Sequence, residues 1–252
     1  METLVCIKRV PNTGARAVLT EDKQSIDTSN LGYTLSPHEE CGIEEAVRLV
    51  EDHGGESTAM TLGAAGADEQ LRTAIAMGVD EAVLLESDGS DWRPSRVADA
   101  LATSIEDRED DYDLLVFGNE AADAQNYQVG VRVADKLGLP VVSGIKDLEV
   151  EDGTAVAQRE IPGGSEHYEL DLPAVITVKE GLNEPRYPSM RARMQANKTE
   201  ITQLEAEGTG VEGFEKLELV VPEEGASETE ILGESPDAAP DVAEVLEELE
   251  VL

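Results

Sequence analysis

Short apolar runs alternate with amphipathic helical patterns over the first 145 residues, and this alternation restricts the fold more than any other feature of the chain. The apolar runs, which we interpret as strands, lie at residues 4–7, 57–62, 82–85, 114–117 and 141–142. The helical patterns begin near Pro37, Asp68 and Arg93 and just before Val129. Strands that alternate with helices run parallel, because each helix returns the chain to the same edge of the sheet. The sequence therefore predicts an α/β fold with a doubly wound, mostly parallel sheet.

The pattern changes between residues 147 and 178. Short alternating runs at 148–150, 155–158 and 169–170 are separated by turn residues such as Asp152-Gly153. This spacing indicates an antiparallel addition to the sheet. The apolar run at 174–178 predicts one further strand.

The composition changes again at residue 199. Residues 199–252 hold seventeen acidic side chains and a single base, Lys216. Such a segment has few core residues of its own, so it is either disordered or laid along a partner. The apolar residues of its last part fall on one face of a predicted helix at 241–252, which favours the partner. We expect one domain at 1–198 followed by an extended acidic C-terminal arm at 199–252.

Polar residues follow the strand that ends at Gly118, where a doubly wound sheet binds its ligands. Residues 118–130 carry carboxylate and amide groups and lead into the next helix. Free N–H groups at a helix N-terminus bind phosphate, so a nucleotide with its phosphates near Gln128–Gly130 is one interpretation. The alternative is a polar loop that caps the helix without a ligand.

The stretch 178–198 is basic on an acidic background. The chain has a formal net charge of −36, yet this stretch holds only two acids and five cations, namely Lys179, Arg186, Arg191, Arg193 and Lys198. Two prolines indicate a shaped loop. Either the loop meets another molecule, or it relieves the repulsion between acidic groups.

Composition and motif spacing exclude several classes of function. The acid excess argues against binding to nucleic acids and to an acidic membrane surface. We expect a cytoplasmic protein of a halophilic organism, without membrane insertion. The sequence contains no GxGxxG, Walker or GxSxG pattern, and its three histidines lack metal-ligand spacing. Cys6 and Cys41 are expected to be buried free thiols. With no catalytic residue and no metal site to propose, binding or electron carrying fits better than catalysis.

Five ordered blocks resemble the β subunit of electron transfer flavoprotein, including its FixA-type relatives. The strongest is Asn183 to Met190 (NEPRYPSM), which follows the apolar run AVITV. The other four lie at residues 6–13, 43–49, 71–78 and 122–130. The five blocks occur in the same order as in the family and are spread over about residues 3–200.

The resemblance implies an adenine-nucleotide-binding sheet whose C-terminal arm embraces an α subunit that holds the redox FAD. It implies AMP in this chain, or a second FAD in electron-bifurcating members. The implied nucleotide residues are Cys6, Lys8, Ser36, Gly63, Asp123, Gln125, Asn126, Tyr127, Gln128, Val129 and Gly130. The implied recognition loop is 185–198, with Pro185, Arg186, Tyr187, Met190, Arg191 and Arg193 as recognition residues and Met190 as the apolar anchor.

The implied function is electron transfer from flavin dehydrogenases, such as the acyl-CoA dehydrogenases of fatty acid oxidation, to electron transfer flavoprotein-quinone oxidoreductase of the respiratory chain. Residues 123–128 match neither the AMP-binding nor the bifurcating pattern, and Tyr127 is bulkier than the residue of either group. The alternatives are a bifurcating subunit with a second FAD, and a free-standing adenine-nucleotide sensor.

Overall fold

The computed structural model describes residues 1–12, 17–108, 111–209, 216–221, 231–233 and 235–249. The chain forms two compact units, one of Met1–Arg16 with Thr28–Glu215 and one of Ala17–Asp27 with Lys216–Leu252. The strands are β1 (Thr3–Cys6), β2 (Val10–Pro11), β3 (Tyr33–Thr34), β4 (Ser57–Gly63), β5 (Glu81–Glu86), β6 (Leu114–Gly118), β7 (Val141–Ile145), β8 (Asp147–Glu151), β9 (Thr154–Ile161), β10 (Gly164–Asp171), β11 (Ala174–Val178) and β12 (Thr202–Glu205). The helices are α1 (Pro37–His53), α2 (Asp68–Met77), α3 (Pro94–Glu106), α4 (Val129–Leu137), α5 (Met190–Ala196) and α6 (Ala239–Glu248).

Seven strands form the main sheet of the first unit, in the order β12-β5-β4-β1-β6-β11-β7. Every neighbouring pair in this sheet is parallel, which confirms the predicted doubly wound sheet. The chain moves from β1 to β4 and β5 on one side, and then crosses to β6 on the other side of β1. The switch point of the topology therefore lies between β1 and β6, where such sheets bind ligands beyond the carboxyl ends of their strands.

Both faces of the main sheet are buried. Successive strand residues belong to two different apolar layers: Leu4 lies in the layer that contains α3 and α4, and Val5 lies in the layer that contains α1 and α2. The same alternation occurs at Leu84 and Leu85. Because both faces are covered, the strands read as continuous apolar runs, and this explains why their sequences could be recognised.

The ends of α1 follow from its flanking residues. Pro37 occupies the first turn, where its missing N–H costs nothing. The backbone N–H of Ser36 donates to Glu39 Oε2 at 3.1 Å. Gly54, with a φ of 73°, ends the helix in a conformation that other residues rarely adopt.

The antiparallel addition predicted between residues 147 and 178 is a separate three-stranded sheet in the order β10-β9-β8. One face packs on the first apolar layer through Leu148, Val150 and Leu170. The opposite face exposes six acids, Asp147, Glu149, Glu151, Glu160, Glu169 and Asp171. Asp152 and Gly153, both with positive φ, form the tight turn between β8 and β9.

The first part of the predicted C-terminal arm (residues 199–252) belongs to the main sheet and does not extend away from it. Residues 202–205, within this arm, form β12, which pairs in parallel with β5 and extends the main sheet. In the second unit, the Leu219 N–H donates to the Lys23 carbonyl at 2.8 Å. The same unit contains α6, which overlaps the helix predicted at 241–252, while residues 250–252 of that prediction lie outside the described residues. Over the described part of the chain, no helix has the length and apolar character needed to span a membrane.

Candidate functional site

Lys8 and Asp123 meet at the switch point of the main sheet. Lys8 follows β1, and Asp123 lies in the loop after β6. The Lys8 Nζ is 2.7 Å from Asp123 Oδ1 and 2.8 Å from Asp123 Oδ2. The structure thus brings together two predicted nucleotide residues that are 115 positions apart in sequence.

The N-terminus of α1 adds two buried polar groups to this edge. Glu39 is only 3% exposed, and burial raises the pKa of its carboxyl from 4.5 to about 8, with Lys8 lowering the pKa and Asp123 raising it. The Ser36 hydroxyl is buried. It faces the Glu39 backbone N–H in a capping-box arrangement, but its oxygen forms no hydrogen bond among the described residues. We call Lys8, Ser36, Glu39 and Asp123 the strand-end site.

Gly118 makes room for the Glu39 side chain. A Cβ added at Gly118 would lie 3.2 Å from Glu39 Cδ and 3.3 Å from His38 Cβ. A larger residue at the end of β6 would therefore displace the buried carboxyl. The glycine therefore allows the start of α1 to pack closely on the end of β6.

The loop after β6 has an unusual backbone at two positions. Gln125 and Tyr127 have φ of 47° and 55°, the left-handed region that few residues other than glycine adopt. Gln125, Asn126 and Tyr127 are exposed. Tyr127 hydrogen-bonds to Glu120, and this bond raises the pKa of the Tyr127 hydroxyl. The loop thus has a defined shape and presents polar groups outward.

The start of α4 lies against β6 and β11. A Cβ on Gly130 would lie 2.8 Å from Thr177 Cγ2 and 3.1 Å from Phe117 Cγ. The glycine therefore allows close packing of the helix on the sheet. Gln128 precedes the half-buried Val129 and accepts a hydrogen bond from Arg132 Nε at 3.0 Å.

Two other predicted nucleotide residues lie at the same edge with different surroundings. The Cys6 thiol is buried in the apolar layer that contains Phe117, and burial raises its pKa, so this side chain is a neutral packing group. Gly63 ends β4, next to β1 in the sheet. A Cβ at Gly63 would lie 3.2 Å from Ala67 Cβ.

Sequence reasoning missed Glu39, and it also missed a link through His38. The Ser36-x-x-Glu39 spacing is typical of a helix cap, so the pattern suggested no role beyond capping. His38 Nε2 lies 3.4 Å from Glu120 Oε1, and Nδ1 lies 3.3 Å from the Val178 carbonyl oxygen. His38 thus joins the loop after β6 to the end of β11.

The recognition loop (residues 185–198) exposes three large apolar side chains. Tyr187, Met190 and Met194 are 88%, 76% and 62% exposed. Arg191 and Arg193 are also exposed, and the Arg193 guanidinium lies 5.1 Å from the centre of the Tyr187 ring. Pro185, at the start of the loop, is exposed as well.

Arg186 differs from the other cations of the recognition loop. Its guanidinium bonds to Glu44 and Glu51 on α1. The structure therefore separates the predicted recognition residues into an outward group and one inward-facing arginine.

These features define a doubly wound α/β protein with a polar site at the carboxyl ends of its central strands and an exposed apolar and basic loop. Among the described residues, no group of three or more His, Cys, Asp or Glu side chains is arranged to hold a metal ion.

Comparison with known proteins identifies the family. The family model described as "Electron transfer flavoprotein domain" matches residues 24–208. The chain is 37% identical to the electron transfer flavoprotein subunit beta of Bacillus subtilis over 207 residues, 81% of this chain and 79% of the relative. It is 36% identical to the same subunit of Syntrophomonas wolfei over 79% of this chain and 77% of the relative. The identity to that of Bradyrhizobium diazoefficiens is 33% over 90% of each chain. The chain belongs to the electron transfer flavoprotein beta-subunit family.

Proposed function

We propose that this chain is the β subunit of a heterodimeric electron transfer flavoprotein. It would carry electrons from flavin dehydrogenases, such as acyl-CoA dehydrogenases, towards electron transfer flavoprotein-quinone oxidoreductase, together with an α subunit that holds the FAD. The observation that supports this most directly is the recognition loop, which leaves Tyr187, Met190 and Met194 exposed on a firmly attached segment. Isolated apolar side chains of this size are typical of anchors that enter a pocket of a partner.

We propose further that the strand-end site holds AMP. One observation fits a nucleotide: the buried Ser36 hydroxyl has no hydrogen-bond partner among the described residues. Buried polar groups are nearly always hydrogen-bonded, so a ligand would supply what Ser36 lacks. A neutral Glu39 and the Ser36 hydroxyl together offer a donor and acceptors that match the edge of a purine base.

The phosphate would lie near Lys8 and the start of α4. Lys8 supplies a cation, and the first N–H groups of α4 are free of partners within the helix. Asp123 now pairs with Lys8, so binding of a phosphate would share Lys8 between two anionic groups. FAD supplies the redox chemistry when bound, and in this proposal it belongs to the α subunit.

The C-terminal arm would pack on the α subunit. The apolar residues Val242 and Val245 of α6 and Leu249 at its C-cap are exposed, and their spacing puts them on one side of the helix. An apolar helix face that lacks a cover is suited to another protein surface. The proposed arm would thus contribute to the heterodimer.

Replacing Met190 by alanine tests the proposed docking role. We expect the KM of an acyl-CoA dehydrogenase for the heterodimer to rise about tenfold, because truncating a well-buried anchor costs more than 1 kcal/mol. The flavin content should remain unchanged. The assay follows flavin reduction by dehydrogenase and its acyl-CoA substrate.

A matched control is Ile161→Ala, which removes an exposed apolar side chain of the antiparallel sheet that is not part of the recognition loop. This variant should show the KM of the unmodified protein. If Met190→Ala and Ile161→Ala behave alike, the recognition loop is not the docking surface.

A further inference from the structure

The Arg186 side chain forms hydrogen bonds to two acids of the same chain, Glu44 and Glu51. Its Nε and Nη2 donate to the two carboxylate oxygens of Glu44 at 2.8 and 3.0 Å. Its Nη1 and Nη2 donate to the two oxygens of Glu51 at 2.7 and 2.9 Å. Since Glu44 and Glu51 are seven residues apart on α1, the planar guanidinium bridges two turns of the same helix face.

Glu44 also holds the backbone of the loop. The Arg186 N–H donates to Glu44 Oε2 at 3.0 Å. Glu44 is only 5% exposed, so this carboxylate is largely removed from water. A buried carboxylate needs its partner, and both oxygens of Glu44 are satisfied by Arg186.

A neighbouring attachment precedes Arg186. The Asn183 Nδ2 donates to the Cys41 carbonyl at 3.0 Å and to Glu45 Oε2 at 2.8 Å. Glu45 is buried, and the bond from Asn183 partly offsets the rise in its pKa that burial causes. Asn183 and Arg186 thus fix the chain to α1 on the N-terminal side of Tyr187.

The other end of the recognition loop is attached to α2. Arg72 Nη1 donates to the Ala196 carbonyl at 2.8 Å and to the Thr199 carbonyl at 3.3 Å. Ala196 itself is buried. The loop is therefore held at both ends while its middle remains exposed.

We infer that Arg186 is a positioning residue: it holds the recognition loop on α1 through Glu44 and Glu51, and it does not bind the electron donor. The docking surface is then formed by Tyr187, Met190 and Met194. This inference rests on the docking role proposed above and changes the part assigned to Arg186. We call Arg186, Glu44 and Glu51 the clamp.

The clamp and a direct contact predict different results in a double-mutant cycle. If Arg186 acts only through Glu44 and Glu51, then Arg186→Gln, the paired Glu44→Gln/Glu51→Gln variant and the variant with all three changes should weaken docking to a similar extent. If Arg186 contacts the donor, its replacement should weaken docking additionally in the Glu44→Gln/Glu51→Gln background. Arg186→Lys retains the charge but lacks the planar guanidinium. It should therefore dock better than Arg186→Gln but less well than the unmodified protein.

The experiment uses the complete heterodimer and an acyl-CoA dehydrogenase reduced by its substrate. If the released loop adopts the competent geometry about a tenth of the time, the KM rises about tenfold while kcat is retained. Arg159→Gln is the matched control, because Arg159 bonds to Glu166 and Tyr168 within the antiparallel sheet and belongs to neither the clamp nor the recognition loop. An additive cycle would overturn the inference.

Hydrogen exchange separates the clamp from the docking role. The N–H groups of Ala192 and Asn197 bond to Ser189 Oγ and to the Arg193 carbonyl, so they report on the order of α5. We expect them to exchange faster in Arg186→Gln and Glu44→Gln than in Arg159→Gln, without any donor present. Unchanged exchange would overturn the clamp. Faster exchange with an unchanged KM would leave the clamp standing and contradict the docking role of the loop.

Discussion

Replacing Glu39 by glutamine should make the chain more stable at alkaline pH. The folded protein keeps a proton on Glu39 up to a pKa of about 8, whereas the unfolded chain loses it near 4.5. Between these values the folded state binds more protons than the unfolded state, so the free energy of unfolding falls as pH rises. Glutamine keeps the shape and an acceptor for the Ser36 N–H but has no proton to lose.

The magnitude follows from the pKa of Glu39. Each tenfold change in an ionisation constant equals about 1.4 kcal/mol. The rise in the Glu39 pKa from 4.5 to about 8 therefore lowers the free energy of unfolding at alkaline pH by up to about 5 kcal/mol. Lys8 lies close enough to stabilise the carboxylate, and a rearranged Lys8 would reduce this cost. We expect the free energy of unfolding of Glu39→Gln to be about 3 to 5 kcal/mol higher than that of the unmodified chain at pH 9. Below pH 4.5 the two free energies should be equal.

The assay is urea unfolding of the nucleotide-free chain from pH 4 to pH 9 at constant KCl concentration. The single tryptophan, Trp92, reports unfolding by its fluorescence. Glu40→Gln, one position further along α1, is the control for removing a carboxylate that is less buried. A difference between Glu39→Gln and the unmodified chain that does not change with pH would refute the reasoning.

Two further predictions concern packing and salt. Gly130→Ala should lower the free energy of unfolding by about 1–3 kcal/mol, because the new Cβ would lie 2.8 Å from Thr177 Cγ2. The control Gly32→Ala adds a Cβ in open space, so its free energy of unfolding should change little. Equal stability of the two variants in urea unfolding would contradict this prediction. Glu149 and Glu169 both lie beside Val156 on the acidic face of the antiparallel sheet. Replacing both by glutamine should stabilise the chain in dilute buffer but not in about 1 M KCl, where charges are screened beyond about 3 Å. An equal gain in stability at both salt concentrations would count against charge repulsion and against the proposed halophilic character.

The main sheet could be predicted because its strands are buried on both faces. Runs such as 114–117 and 174–178 are continuously apolar, and glycines mark the ends of the intervening helices. β12 could not be predicted in this way. Its four residues, 202–205, are all exposed, and β12 is held by backbone pairing with β5, which leaves no apolar pattern in the sequence.

The strand-end site was predictable in position but not in detail. The rule that ligands bind beyond parallel strands located Lys8 and Asp123 at one edge. Glu39 escaped notice because its spacing from Ser36 is that of an ordinary helix cap. Only the three-dimensional structure shows that this carboxyl is buried beside Lys8.

The direction of Arg186 illustrates a different limit of sequence reasoning. Its charge and its place in the basic stretch suggested a contact with a partner. Charge does not determine whether a side chain faces outward, and the acids that bind Arg186 are more than 130 positions earlier in the chain. A pair of acids seven residues apart on a helix is too common in so acidic a sequence to indicate such a clamp.

The nucleotide content of the native complex tests the central claim most directly. The heterodimer would be isolated in high salt and denatured, and the released nucleotides would be quantified by chromatography and mass spectrometry. We expect one FAD and one AMP for each pair of subunits, with the AMP lost from a Ser36→Val/Lys8→Met variant that keeps its FAD. Two FAD and no AMP would place the protein among the bifurcating members, and a complex without any nucleotide would contradict the strand-end site altogether.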